Sequence, residues 1–409
     1  MPPPPSPRIL LADADAFYVA VARMVDPEGA GQAKLLIVGG TAESRGVVCS
    51  ASYETRKYGV RSAMPIARAL RLCPGATCVP VPRKECSRKS AEIREVLQRF
   101  SPVVEGASID EWYLDLGGTE KLYRGESLAD TARRMREAVR EKVGLTISVG
   151  GGTNKLVAKL AVELAKPKPG NDATGVYIVE PGSEAEFMLR FNLGDIPLIG
   201  PKFQERLQRA GLRTVQHVRE QELSSLIQWF GQREGRWLYD RVRGIDRGHV
   251  APREEQKSIS RDDTFPRDIN DDTELERILL RLAGRAAADL RRDGLAARTI
   301  TVKLRDADFR TRQGSRTLPD AVVSDRVIFE TARTLLRRLR SKRRCPARLL
   351  GVSLSSLVGG STAEQLALFD GVGGGEDPAE SARDRALSRA VDELRARFGN
   401  DVIGPGGRG

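Results

Sequence analysis

Two acidic clusters set into apolar, sheet-forming sequence constrain this chain more than any other feature. "RILLADADAF" (8–17) runs through Ile9, Leu10 and Leu11 into Asp13 and Asp15, and "ASIDEWYLDL" (107–116) places Asp110 and Glu111 beside Ile109, Tyr113 and Leu114. Such side chains fill buried sheets, which rarely accept an unpaired charge. Something must compensate these acids. Adjacent residues of an ideal strand point to opposite faces, so Asp110 and Glu111 converge only where the strand is irregular, and an irregularity is expected at Asp110. The plainer alternative is one solvated acid beside another paired with arginine.

The surrounding pattern interleaves strands and helices. Strands are expected at "AKLLIVGG", in "GVVCS", along "SPVVEGASIDEWYLDL" and at "LTISVGGG", with helices from about Pro65 to Pro74, from Lys89 to Phe100 and from Leu128 to Val143. "AKPKPGN" then punctuates the chain. A helix, turn, helix pattern follows in "LGDIPLIGPKFQERLQRAGLRTVQHV", with Gly200 and Gly211 at the turns. A third unit, from about Lys257 to Leu357, reads as three strands and two helices. After a Gly-rich stretch a last amphipathic helix covers roughly Ala382 to Phe398. The interleaving suggests an α/β or α+β core, with the third unit a small α+β domain, in a multidomain chain whose 409 residues exceed one ordinary core.

Composition narrows the partners. Lys and Arg total 67 against 55 Asp and Glu, a net charge of +12 that favours an anionic partner. No apolar run approaches the roughly 20 residues of a membrane span, and "MPPPPSP" lacks the apolar region of a signal peptide, so a soluble cytoplasmic protein is expected. The five cysteines are scattered and only two histidines are present, which gives no zinc-site spacing.

A divalent cation would neutralise the acid clusters. Mg²⁺ takes oxygen ligands, usually carboxylates plus substrate phosphates, and a two-metal site suits phosphoryl transfer. Phosphate-binding groups are present as well: "SASYETRKYG" offers Ser50, Tyr53 and Arg56, and "NKLVAKLAVELAKPKPG" carries Lys155, Lys159 and Lys166. Taken alone, the lysines make only a basic helix face.

Four stretches in order, "DADAFYVAV" (13–21), "SASYETRKYGVRSAMP" (50–65), "ASIDEWYLD" (107–115) and "NKLVAKLAVELAKP" (154–167), resemble the Y-family DNA polymerases, in the bacterial DNA polymerase IV branch. The resemblance implies a right-hand fold: a palm at 8–16 and 83–172, fingers at 17–82, a helix-hairpin-helix thumb at 173–245, a little finger at 253–358 and a flexible tail at 359–409. It implies that Asp13 and Asp110 bind two Mg²⁺ ions, that Glu111 binds the one activating the primer 3′-hydroxyl, and that Ala14 adds its backbone carbonyl. By the same mapping Ser50, Tyr53, Arg56 and Lys166 hold the incoming dNTP. Tyr18 is the steric gate against ribose, and Val47, Cys49 and Ala63 roof the new base pair.

Outside the active site, Arg333, Arg337, Arg338, Arg340, Lys342, Arg343, Arg344 and Arg348 suggest sequence-independent contact with primer-template DNA, though a charge run is usually a solvated face. Gln365, Leu366, Leu368 and Phe369 resemble the peptide that docks on a sliding clamp. The expected activity is template-directed, low-fidelity translesion synthesis by a monomer without a proofreading segment. The alternatives are a non-catalytic DNA- and clamp-binding scaffold, and a nucleotide cyclase with a similar palm, which leaves the basic third unit unexplained. The chain departs from the family pattern at Ala14, at Ala22 where Glu is common, at Trp112 where Ala is usual and at Leu198 where Gly is usual.

Overall fold

The structure, a computed structural model, describes residues 7–41, 43–119, 122–123, 125–167, 171–252, 256–359 and 380–399. These divide into two compact units, one formed by 1–42 and 46–254, the other by 43–45 and 255–409.

In the first unit, β1 (Ile9–Ala14) leads into α1 (Phe17–Val25), and β2 (Leu36–Gly39) and β3 (Val48–Ala51) are followed by the short α2 (Tyr53–Arg56), α3 (Ile66–Leu72) and β4 (Thr77–Val79). Then come α4 (Arg83–Leu97), β5 (Val103–Gly106), β6 (Glu111–Asp115), α5 (Leu128–Val143), β7 (Ile147–Gly152), α6 (Lys155–Ala165) and β8 (Val176–Ile178). The unit closes with α7 (Glu184–Phe187), α8 (Pro201–Arg209), α9 (Val215–Arg219) and α10 (Leu223–Arg241).

The larger sheet has the order β5-β6-β1-β7-β8, which puts β1 at its centre. Alternation along β1 sorts its side chains between two cores. Leu10, Ala12 and Ala14 pack with α4 and α5, whereas Ile9 and Leu11 pack with Ala158 and Val162 of α6. Asp13 continues the second set, so the acid points to the α6 side. The opposite side of α6, through Leu156, Val157 and Leu160, belongs to the core of the α7–α10 segment. The smaller sheet, β3-β2-β4, has its own core with Ile66 and Ala69 of α3.

The expected single strand over 101–116 is instead a hairpin, β5 and β6, interrupted at 107–110. α4 begins at Arg83 rather than Lys89, because its first turns are mostly polar and carry little apolar periodicity.

The second unit contains β9 (Ser258–Ile269), α11 (Asp272–Arg292), β10 (Leu295–Asp306), β11 (Thr311–Val322), α12 (Asp325–Lys342) and β12 (Ala347–Gly359). Its sheet order is β11-β10-β12-β9, all antiparallel. Its fourth strand, β11, was absent from the sequence reading. "TRQGSRTLPDAV" is polar and carries Gly314 and Pro319, and an edge strand accepts a proline that a central strand would not.

The C-terminal helix (Ala382–Phe398) docks on this unit through polar groups: Arg291 forks onto Asp392 at 2.6 and 2.8 Å, and the Ser388 hydroxyl accepts from the Asp325 N–H at 3.2 Å. No helix among the described residues is long and apolar enough to cross a membrane, and all five cysteines are free.

Gly150 of β7 decides how closely α6 approaches the sheet. A Cβ there would lie 2.1 Å from the Val162 nitrogen and 2.4 Å from the Ala158 carbonyl oxygen, both helix backbone. Gly150→Ala is therefore expected to lower stability by about 1–3 kcal/mol, read as an earlier urea midpoint. An unchanged midpoint would mean that α6 shifts freely.

Candidate active site

Asp13, the last residue but one of β1, faces β6, β7 and the end of α6. Asp13 stands directly opposite Glu111 of β6 on one side and Ser148 of β7 on the other. Facing residues in an antiparallel pair share a sheet face, so the Asp13 and Glu111 carboxylates rise together toward α6.

Asp110 lies in the bend just before β6, where the predicted irregularity occurs; the Ala14 N–H donates to its carbonyl at 2.9 Å. Its carboxylate accepts the Ser108 hydroxyl at 2.5 Å. The oxygen atoms of Asp13, Asp110 and Glu111 do not all lie within 4.8 Å of one another.

α6 supplies the counter-charge. Asn154 caps its N-terminus, accepting from the Val157 N–H at 3.0 Å, and the helix presents Lys155, Lys159 and finally Lys166. Lys155 holds Glu105 at 2.6 Å, Lys159 pairs with Glu111, and Lys166 reaches Asp13 at 2.8 Å and Glu163 at 2.6 Å. These lysines are thus more than a solvated basic face.

Asp13 is only 6% exposed. Burial pushes its carboxyl up to about 7, with Lys166 pulling the other way, and Asp13 together with Glu163 holds the Lys166 ammonium above its ordinary value despite burial. The pair stands as an ion pair, because the ammonium answers two carboxylates. An all-oxygen cluster containing a buried carboxylate that keeps its charge only beside a cation fits a hard divalent ion such as Mg²⁺.

The smaller sheet and its helices bring the phosphate-type groups to the same place. Ser50 is buried in β3; Tyr53 opens α2; the Arg56 guanidinium lies 5.1 Å from the Tyr53 ring centre and donates through Nε to the Ala51 carbonyl at 2.9 Å. Burial raises the Tyr53 hydroxyl pKa, and the hydroxyl also senses the charges of Asp15, Arg56, Lys166 and Asp13. The phosphate-type segment therefore faces the acids although it lies far from them in sequence.

Tyr18 packs edge-on against Phe17 at 5.7 Å, and its pKa is raised by burial, then by the charge of Asp110 and by Cys49. Of the residues expected to roof the base pair, Val47 is exposed, Cys49 is half-buried and Ala63 adopts φ 65°.

The departures from the family pattern have physical accounts. Trp112 is 1% exposed and sits in register between Ala12 and Gly106, two small residues that make its room. Adjacent to Glu111, it points to the opposite face, into the α4–α5 core rather than among the acids. Ala22 fills a small core with Val19, Leu36 and Val38. Leu198 keeps a left-handed φ of 74° and is 80% exposed, so the turn before α8 retains a glycine-like backbone despite the side chain.

The sequence reading missed the roles of Ser148 and Glu105. The Ser148 hydroxyl donates to the Asp15 carboxylate at 2.6 Å, and Glu105 pairs with Lys155. Alternation within β5 and β7 was the available signal. Gln365, Leu366, Leu368 and Phe369 lie outside the described residues.

Comparison with known proteins agrees with this geometry. The impB/mucB/samB family matches residues 12–163, its C-terminal domain 256–368, and the thumb domain described for DNA polymerase-iota 194–246. DNA polymerase IV of Desulfatibacillum aliphaticivorans is 37% identical over 97% of this chain and 96% of its own length; that of Methanoculleus marisnigri is 40% identical over 87% and 96%.

The chain belongs to the Y-family DNA polymerases. Among solved structures, a Y-family chimera of Dbh and Dpo4 superposes with a TM-score of 0.74 at 25% identity, covering 86% of this chain and 99% of the chimera. An insertion ternary complex of Dbh DNA polymerase gives 0.59 at 26% identity, covering 86% and 99%. The polymerase is α+β and multidomain, as the family resemblance implied.

The folded-state pKa of Asp13 lies above the ordinary 3.8, so its cost to stability grows as pH rises toward about 7 and is complete above that. Asp13→Asn is expected to melt no lower than the wild type at pH 8 in EDTA. A clear drop would show that the Lys166 ion pair outweighs desolvation.

Proposed function

We propose that this polymerase extends a primer 3′-hydroxyl along a DNA template by two-metal phosphoryl transfer and serves translesion synthesis at low fidelity. The observation that carries the reading is the register of Asp13 against Glu111, with Asp110 at the adjoining bend and Lys166 beside them.

Asp13, Asp110, Glu111 and the Ala14 carbonyl would hold two Mg²⁺ ions. When bound, the ions lower the cost of ionising the 3′-hydroxyl and neutralise charge gathering on the α-phosphate and pyrophosphate. The chain's own groups do the positioning. Ser50, Tyr53, Arg56 and Lys166 hold the triphosphate, Arg56 through a planar fork and Tyr53 through its hydroxyl. Tyr18 fills the space a ribose 2′-hydroxyl would need, while Val47, Cys49 and Ala63 cover the base pair. No side-chain nucleophile is needed, since the primer supplies the attacking oxygen.

In the domain assignment we propose, 8–16 and 83–172 form the palm, 17–82 the fingers, 173–245 the thumb and 253–358 the little finger. The DNA-facing surface we assign to the little finger is the open side of its sheet rather than α12 as a whole. There Thr299 bonds Thr317 and Ser356 at 3.0 Å, and Thr301 bonds Ser315 at 2.9 Å, a hydroxyl-lined surface suited to phosphate and sugar without reading bases. Gln365, Leu366, Leu368 and Phe369 would dock a sliding clamp, as three apolar side chains in a polar segment call for a pocket elsewhere.

Extension of a labelled primer with Mg²⁺ and four dNTPs tests the reading. Wild type is expected to extend and Asp110→Ala/Glu111→Ala to fall below detection; a folded, DNA-binding wild type that never extends, with Mn²⁺ also tried, would favour the scaffold. Tyr18→Ala is expected to admit ribonucleotides at least tenfold better, a modest fraction of what one well-placed steric contact controls. Unchanged sugar discrimination would remove Tyr18 from the gate.

A further inference from the structure

We infer that Lys166 and Lys159 are the resident counter-ions of the acid cluster, so that a divalent cation enters by displacing ammonium groups from Asp13 and Glu111. The inference rests on the proposed metal site and concerns how this chain's own residues hold it.

The two carboxylates that face each other across β1 and β6 each carry one lysine, Lys159 from within α6 and Lys166 from its C-cap. The Asp13 side chain is 8% exposed and Lys166 17%, so water screens this pair poorly. A cation bound at the carboxylate oxygens would meet an ammonium already seated there, and like charges at that separation repel strongly in a buried setting.

Lys166 has somewhere to go. Glu163, one turn back on α6, already shares its ammonium at 2.6 Å and is more exposed than Asp13. Lys166 also stands just past the end of α6 with extended backbone (φ −62°, ψ 120°). Lys159 differs: it lies within the helix and, among the described residues, its ion pair is with Glu111. The prediction is therefore two separable barriers to metal entry, one at each acid.

Mn²⁺ binding to the full chain, without DNA or nucleotide, followed by electron paramagnetic resonance, tests this directly. Lys166→Met is expected to bind Mn²⁺ about tenfold more tightly than wild type, an ordinary coupling between neighbouring sites, while Lys166→Arg, which restores the charge, returns toward wild-type affinity. Lys159→Met, read in parallel, is expected to tighten binding too, so a folding failure of one variant leaves the other decisive. A merely structural lysine would lower the melting temperature and leave Mn²⁺ affinity unchanged or weakened. If both methionine variants bind no more tightly than wild type while Asp13→Asn still loses binding, displacement is overturned and the metal site survives. No saturable binding in any variant overturns both.

Discussion

The charge on Asp13 is the constraint around which the first unit is arranged. A carboxylate at the end of the central strand, 6% exposed, is tolerable only beside a cation, and the fold provides one by bringing α6 across the sheet. That approach requires Gly150, whose missing side chain lets helix backbone take the place of a β7 side chain. The other side of α6 then packs into the α7–α10 core, so one helix fixes both the lysines and the helical segment.

Much of this was legible in the sequence because it is written in local periodicity. α5 and the C-terminal helix occur at the expected residues, and the break before Glu111 followed from the geometry of adjacent acids in a strand. Pairings between distant residues were not legible. Lys159 and Glu111 are 48 residues apart, and nothing in a lysine spaced four from another tells a solvated face from a ligand to a palm acid. The carrying over of roles onto Ser50, Tyr53 and Arg56 came from motif resemblance; the structure adds that Tyr53 senses Asp13 and Asp15.

The second unit shows the same limit from the opposite direction. Counting arginines in α12 suggested a phosphate-binding helix, yet Arg340 is buried on Asp272 and Asn270, Arg343 joins Arg312 on the buried Asp306, and Arg337 forks onto Glu276. Arg340 is thus a buried strut, whereas Arg326 and Arg337 are exposed though paired with Asp384 and Glu276, and Arg338 and Lys342 are exposed as well. Asp306, Asp308 and Cys345 bring their ligand atoms within 4.8 Å, but the Asp306 carboxylate is already taken by two guanidinium groups, so the cluster is an ion-pair knot. The outward hydroxyls of β10 and β11 carry no net charge and so never enter a charge count.

If Lys166 holds the triphosphate as proposed, its seat beside Asp13 has a thermodynamic consequence. A triphosphate would compete with Asp13 for the Lys166 ammonium, so whatever draws it toward phosphate lowers the cost of placing a metal on Asp13, and reciprocity makes a metal on Asp13 favour phosphate on Lys166. The metal-free acids are meanwhile covered, which spares the sheet an uncompensated charge between turnovers. The same side chain then stabilises the resting fold and couples the two ligands, and Glu163 lets it leave Asp13 without becoming unpaired. A palm with a fully exposed acid cluster would need neither lysine; the burial of Asp13 is what makes the exchange necessary.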